Sequence, residues 1–341
     1  MSRRLVLVSL PVVLAAGAAA VGWQQYQGFL DTPVNVAEPY VLTVKKGSSY
    51  NAVVSDLVAQ GLIDKPLFMK LYGRQSGLSA RIRAGEYSID PGTTPAGLID
   101  ILVSGKSIQY SFTVIEGSTV KELLAQLKQD QVLVQTLADK APGDIQAVLD
   151  VKKPSLEGLF LAETYNYERG TTDLEILQRA QRLLNKKLSA AWAERQKSLP
   201  YKTSYEALIM ASIVEKETAR ANERPEIAGV FVRRLNKGMR LQTDPTVIYG
   251  MGDKYKGNIR RADLRRPTPY NTYVINGLPP TPIALVGAEA IQAALNPNAG
   301  KSLYFVAKGD GSHQFSSTLR EHNNAVRRYQ LQRRKDYRST P

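Results

Sequence analysis

Two glutamates, Glu215 and Glu217, stand in the run ASIVEKET, with Arg220, Arg224, Arg233, Arg234 and Arg240 following and the polar run RLQTDPTVIYG closing the stretch. A carboxyl group held in a cleft can donate or accept a proton, so the chemistry offered here is general acid–base work. On a helix turning 100° per residue the two carboxylates project about 160° apart. One cleft therefore takes one of them, and periodicity ranks neither first. Because most charged side chains are exposed, a solvated helix end is the plain alternative. The arginines and the polar order of Gln242, Thr243 and their neighbours, without charge repetition, favour a ligand-lining turn instead.

The elements that must carry these residues are legible. Thr203 and Glu206 have the spacing of a capping box, which starts a helix. Tyr205, Leu208, Ile209, Ser212 and Ile213 then recur on one face, so the helix is expected to bury one side. A second helix ends in the Arg233–Arg234 pair. Further on, Pro267 and Pro269 hold the chain extended before Tyr270-Asn271-Thr272-Tyr273, and Gly277-Leu278-Pro279-Pro280 forms a turn. A helix is expected from Gly287, then a hairpin around Gly309-Asp310-Gly311 with His313 and Phe315 on its return strand. His313, standing alone, reads as structural. Upstream, Glu157, Glu163, Tyr165 and Tyr167 either line a groove for a hydroxyl-rich ligand or pack as a hairpin. An amphipathic helix follows Thr171 and Thr172.

A chain of 341 residues with 43% hydrophobic content supports two domains. Its net charge of +14 suits anionic surroundings. No zinc-finger, helix-turn-helix or RNP pattern accompanies the charge, so nucleic acid is not the expected partner; anionic lipid or another acidic polymer fits. The absence of cysteine removes disulfides, thiolate nucleophiles and lipid-modified cysteine. Two histidines and no HExxH pattern give no expectation of a metal or cofactor.

Residues 1–4 carry two arginines, and Leu5 to Trp23 is an uncharged apolar run, expected as a transmembrane anchor at 5–23, with a cleaved signal peptide as the alternative. Either way the remainder is exported. Residues 24–38 read as a linker. Three copies of a strand–turn–helix unit follow, at Val44/Gly47/Ser49, Ile89/Gly92/Thr94 and Val114/Gly117/Thr119, each with apolar residues four apart on the helix. The first two copies, with the strand in RIRAGEYSI, make a small module at 39–107 that resembles the LysM fold; a generic strand–helix packing unit fits the pattern equally. Residues 108–330 form a larger domain and 331–341 a basic tail. The expected fold class is α+β.

ASIVEKET, RLQTDPTVIYG, YNTY, GLPPTPI and LYFVAKGDGSHQF, in this order, resemble the YceG-like (MltG) family of endolytic murein transglycosylases, and the resemblance covers nearly the whole chain. It implies cleavage of the β-1,4 bond between N-acetylmuramic acid and N-acetylglucosamine inside peptidoglycan strands, leaving 1,6-anhydro ends. One glutamate would act as acid and then base, which the resemblance puts at Glu217, with Glu215 as fallback. Gln242, Thr243, Asp244, Asn271 and Tyr273 would line the glycan cleft. Glu163 would join them, although Ala162-Glu163 stands where relatives tend to have Pro-Asp. The family also implies a catalytic domain on the periplasmic side of a bacterial inner membrane, terminating nascent strands beside peptidoglycan synthases (penicillin-binding proteins). A hydrolytic muramidase and a non-catalytic peptidoglycan-binding scaffold are the competing functions.

Overall fold

The computed structural model describes residues 2–331, with side chains from residue 13 onward. The chain divides into two compact units, Met1–Tyr110 with Asn166–Thr171, and Ser111–Tyr165 with Thr172–Pro341. The first unit begins with α1 (Ser2–Asp31), then β1 (Tyr40–Val44), α2 (Tyr50–Ala59), α3 (Pro66–Gln75), β2 (Gly85–Ile89) and α4 (Pro95–Ser104). β1 and β2 pair antiparallel, with Tyr40 opposite Ile89 and Val44 opposite Gly85. Leu42, Val54, Leu57, Met69, Tyr87, Ile89, Leu98 and Leu102 fill its core.

Tyr26, Phe29, Leu30 and Val34 are buried in that same core. Residues 24–38 are thus not a free linker, because these side chains remove apolar surface from water. Among the described residues no helix is long and apolar enough to cross a membrane. The expected span at 5–23 falls partly outside them, since the side chains of residues 5–12 are not described. The basic tail, beyond residue 331, also lies outside.

The second unit holds β3 (Tyr110–Thr113), α5 (Val120–Gln129), α6 (Pro142–Val148), β4 (Thr164–Tyr167), α7 (Asp173–Ala193), α8 (Ser204–Glu217), α9 (Arg224–Asn236), α10 (Asp244–Met251), α11 (Arg261–Arg265), α12 (Ala288–Leu295), β5 (Tyr304–Ala307), β6 (His313–Ser316) and α13 (Leu319–Val326), the first and fourth of these straddling the division. The repeat appears as read: Ser49, Thr94 and Thr119 each cap a helix through the side-chain oxygen. The preceding Gly47, Gly92 and Gly117 have φ of 84°, 86° and 73°, a region that side chains rarely adopt. The hairpin forms too, with Phe305 opposite Phe315 and Ala307 opposite His313.

Helix α8 is the spine of this unit. It packs against α7, α9, α10 and α12. Every residue from Ala207 to Glu215 is buried, so the helix is enclosed on all sides rather than on the single face its periodicity suggests. Met210, Ile213 and Val214 are fully buried, each contributing about 1.5–3 kcal/mol. The one hydroxyl at the centre is satisfied: Ser212 Oγ donates to the Ile209 carbonyl at 2.7 Å and accepts from the Ile283 amide at 3.0 Å. That bond lays the TPI segment along the helix.

Candidate active site

Helix α8 ends on the two carboxylates, and its burial settles what each one meets. The Glu215 side chain is only 2% exposed, and both its oxygens are engaged. Oε1 lies 2.8 Å from Arg224 Nη2, and Oε2 accepts from the Gly287 amide at 2.9 Å. Arg224 also reaches Glu116 at 2.8 Å and Glu289 at 2.7 Å. Burial pushes the Glu215 carboxyl up from its ordinary value, with the Gly287 amide and the Arg224 charge working against it. Burial pulls Arg224 down, but its three carboxylates outweigh this and leave it raised. Glu215 is therefore a tie between α8, α9 and the start of α12.

Glu217 is partly buried and faces another way. It makes no ion pair among the described residues, and one carboxylate oxygen accepts from the Thr243 hydroxyl. Burial pushes its carboxyl up to about 7; the Thr243 hydroxyl opposes this and the Asp244 charge adds to it. Such a group can be protonated or ionised near neutral pH, which suits a proton donor that must later act as base.

Thr243 is held from behind by two buried threonines. Its amide donates to Thr272 Oγ1 at 3.0 Å, and Thr246 Oγ1 lies 2.9 Å from Thr272 Oγ1 and donates to the Thr243 carbonyl at 2.8 Å. The preceding Gln242 has φ of 53°, left-handed for a non-glycine residue. Its amide bonds to the Thr272 carbonyl at 3.2 Å, and its side chain accepts from Arg234 Nη2 at 2.5 Å. These contacts on both sides hold an unfavourable backbone in place beside the carboxylate. Arg234 is buried, bonds the Arg240 carbonyl at 3.0 Å, and lies over the Tyr304 ring.

Asp244 opens α10, with Pro245 in the first turn where its fixed φ suits a helix start. The stretch expected as a turn thus ends at Thr243. Asp244 is exposed and accepts from Tyr273 OH at 2.6 Å. Burial, then the bond to Asp244, holds the Tyr273 phenol well above its ordinary range, so it stays a donor. Asn271 differs from expectation. It is 1% exposed; its Nδ2 donates to the carbonyls of Asp263, Leu264 and Arg266, and its Oδ1 accepts from the Tyr273 amide. A side chain with both ends occupied fixes the loop and does not face a cleft.

The profile of the YceG-like family matches residues 42–328. The chain belongs to that family. It is 33% identical over 309 residues to a Bacillus subtilis protein named endolytic murein transglycosylase, covering 84% of each chain. A Streptococcus pneumoniae protein of the same name is 27% identical over 92% of this chain, which spans 63% of the relative's length. A crystal structure of a YceG-like protein from Listeria monocytogenes superposes with a TM-score of 0.53 at 27% identity, covering 85% of this chain and 99% of the other.

Within this YceG-like chain the structure gathers Glu217, Gln242, Thr243, Asp244 and Tyr273, with Asn271 as their brace. Glu163 is not joined to them: it is exposed at the edge of β4, with its carboxylate on the Thr164 amide at 3.0 Å. For the other residues of that stretch, the packing alternative is the one observed. Glu157, Tyr165 and Tyr167 are buried. Tyr165 OH donates to the Leu161 carbonyl at 2.8 Å, while Glu157 accepts from the Val120 amide at 3.0 Å and Tyr249 OH at 3.2 Å. His313 pairs with Glu223 at 2.7 Å, a structural role. Sequence reasoning passed over Thr246, named Thr272 only within the polar run Tyr270–Tyr273, and left Arg234 and Arg224 undifferentiated within the arginine cluster.

Proposed function

We propose that this protein is a lytic transglycosylase that cleaves the MurNAc-β-1,4-GlcNAc bond inside peptidoglycan strands, with Glu217 as its single acid and base. The observation that carries the choice is the contrast between the two glutamates: Glu215 has both oxygens engaged and buried beside Arg224, while Glu217 is held by one hydroxyl, without a cation, at a carboxyl raised to about 7. Protonated Glu217 gives its proton to the glycosidic oxygen as the bond to the muramyl anomeric carbon breaks. The carboxylate then takes the proton of the muramyl C6 hydroxyl as that oxygen bonds to the anomeric carbon, closing the 1,6-anhydro ring and restoring the acid. Thr243 orients the carboxyl. Asp244 and Tyr273 offer an acceptor and a donor for sugar hydroxyl or N-acetyl groups.

The enzymatic names of the relatives support this reading. So does the apolar N-terminal run, which suits tethering at the periplasmic face of a bacterial inner membrane, where nascent strands would be cut beside their synthases. The order β1–α2–α3–β2 suits a LysM-like strand-binding role for the first unit. One observation favours a second reading, a hydrolytic muramidase: Asp244 acts electrostatically on Glu217, as the second carboxylate of a glycosidase pair would. Mass spectrometry of products from purified glycan separates the two, anhydro ends supporting transfer and reducing ends hydrolysis. Glu217→Gln should abolish anhydro-product formation while leaving the unfolding midpoint within a few degrees. Full activity in that variant would end the assignment.

A further inference from the structure

Between the end of α10 and Tyr270 the chain exposes Lys254, Lys256, Arg260, Arg261, Arg265 and Arg266. Two carboxylates stand among these six cations, and both are occupied: Asp253 pairs with Lys121 at 2.7 Å, while Asp263 accepts from the Arg260 amide at 3.0 Å and lies 3.8 Å from Arg266. Among the described residues the other five cations make no ion pair. A solvated charged face is the ordinary fate of such a run, but this one is fastened to the candidate active site. The Arg266 carbonyl and the Tyr273 amide are held by the same Asn271 carboxamide, at 2.8 and 2.9 Å. Tyr273 bonds Asp244, whose neighbour Thr243 bonds Glu217. At its other end the segment leaves α10, an eight-residue helix, about 12 Å long, that starts at Asp244. The Tyr249 and Tyr270 rings, 4.8 Å apart, close the loop.

In a peptide-bearing strand each muramyl lactyl carboxyl is consumed in the amide to its peptide, so the sugar backbone is uncharged there and the cut bond itself calls for no cations. The anions of a murein strand are the carboxylates of its peptide branches, and guanidinium groups match carboxylates in planar, two-point geometry. We infer that the basic segment Lys254–Arg266 binds peptide-branch carboxylates of the strand lying across Glu217, so that the enzyme favours peptide-bearing over peptide-free glycan. This rests on the transglycosylase reading above. Anionic phospholipid is the other polyanion such a surface could meet; the brace to Tyr273 favours the substrate.

The test is the ratio of kcat/KM on peptide-bearing strands to that on the same strands stripped by an amidase, which exchanges the several carboxylates of each peptide for a single lactyl carboxylate on the sugar, using the full chain. The triple variant Arg260→Gln, Arg261→Gln, Arg265→Gln should lower the ratio roughly tenfold, and lysine at the same three positions should restore only part of it, since an ammonium keeps the charge but not the two-point geometry. In the unaltered protein, raising salt from about 0.05 to 0.5 M should bring the ratio toward one, because exposed charges are screened; this arm does not depend on how any variant folds. A ratio that holds in both arms overturns the inference. So does an unchanged ratio accompanied by lost binding to vesicles of anionic phospholipid, which would assign the surface to the membrane. Cleavage of neither strand type by the unaltered protein would instead defeat the transglycosylase reading, whereas equal cleavage of both defeats this inference alone.

Discussion

The proton that Glu217 carries is governed by its nearest neighbours, and Thr243 is the one that can be altered at least cost to packing. Its hydroxyl donates to the carboxylate and so favours the ionised form, opposing the burial that lifts the group to about 7. A bond to a charged group is worth roughly 1.5–3 kcal/mol, and valine keeps the shape while removing it. If Glu217 must start protonated, the rate should decline as pH rises through about 7. Thr243→Val should move that decline upward by about one pH unit or more and lower the maximal rate about tenfold. The measurement is a pH–rate profile of anhydro-product formation. A profile that keeps its upper limb in the variant would show that the hydroxyl does not act on the catalytic proton.

At the scale of elements, Arg224 is the fastener of the spine helix. It stands at the start of α9 and holds Glu215 on α8, Glu289 on α12 and Glu116 after β3. Arg224→Met should cost about 3–5 kcal/mol, since it leaves the buried Glu215 without a counter-charge. Glu215→Gln should cost less, about 1.5–3 kcal/mol, and should still yield anhydro products. Denaturant unfolding with product analysis checks both; loss of catalysis in a fully folded Glu215→Gln protein would exchange the roles of the two glutamates. This fastening is also where the sequence stopped being readable. The caps at Ser49, Thr94, Thr119 and Thr203 depend on residues three apart, and the hairpin at 304–316 on one glycine turn, so local chemistry revealed them. The ranking of Glu215 and Glu217 depends on Arg224 and Thr243, which only tertiary packing brings to them. Periodicity measured the angle between the carboxylates and could not know what waits on either side. The same gap explains Asn271, which the family resemblance put in the cleft while its packing gives it to three backbone carbonyls.

Across the whole molecule, a net charge of +14 suggests that stability should rise with pH, as removal of protons relieves repulsion. Buried carboxyls work in the opposite direction. Burial lifts Glu157 to about 7, against the Val120 amide and the Tyr249 hydroxyl. Its folded value lies above the unfolded one, so the folded protein holds the extra proton between them. The stability this contributes is fully present below about 4.5 and is lost as pH rises through about 7. Over that window the loss amounts to about 3 kcal/mol. Glu217 acts in the same sense, while His322, lowered by burial and then by Arg234, acts in the opposite one. The Glu157 share is therefore best read by difference. Glutamine at position 157 cannot ionise yet can still accept from the Val120 amide. Relative to the unaltered protein, Glu157→Gln should gain up to about 3 kcal/mol between pH 5 and pH 8, measured by denaturant unfolding at both. A difference between the two proteins that stays constant over this range would mean that Glu157 is ionised throughout, and that its contacts with α5 and Tyr249 carry a full charge into the core.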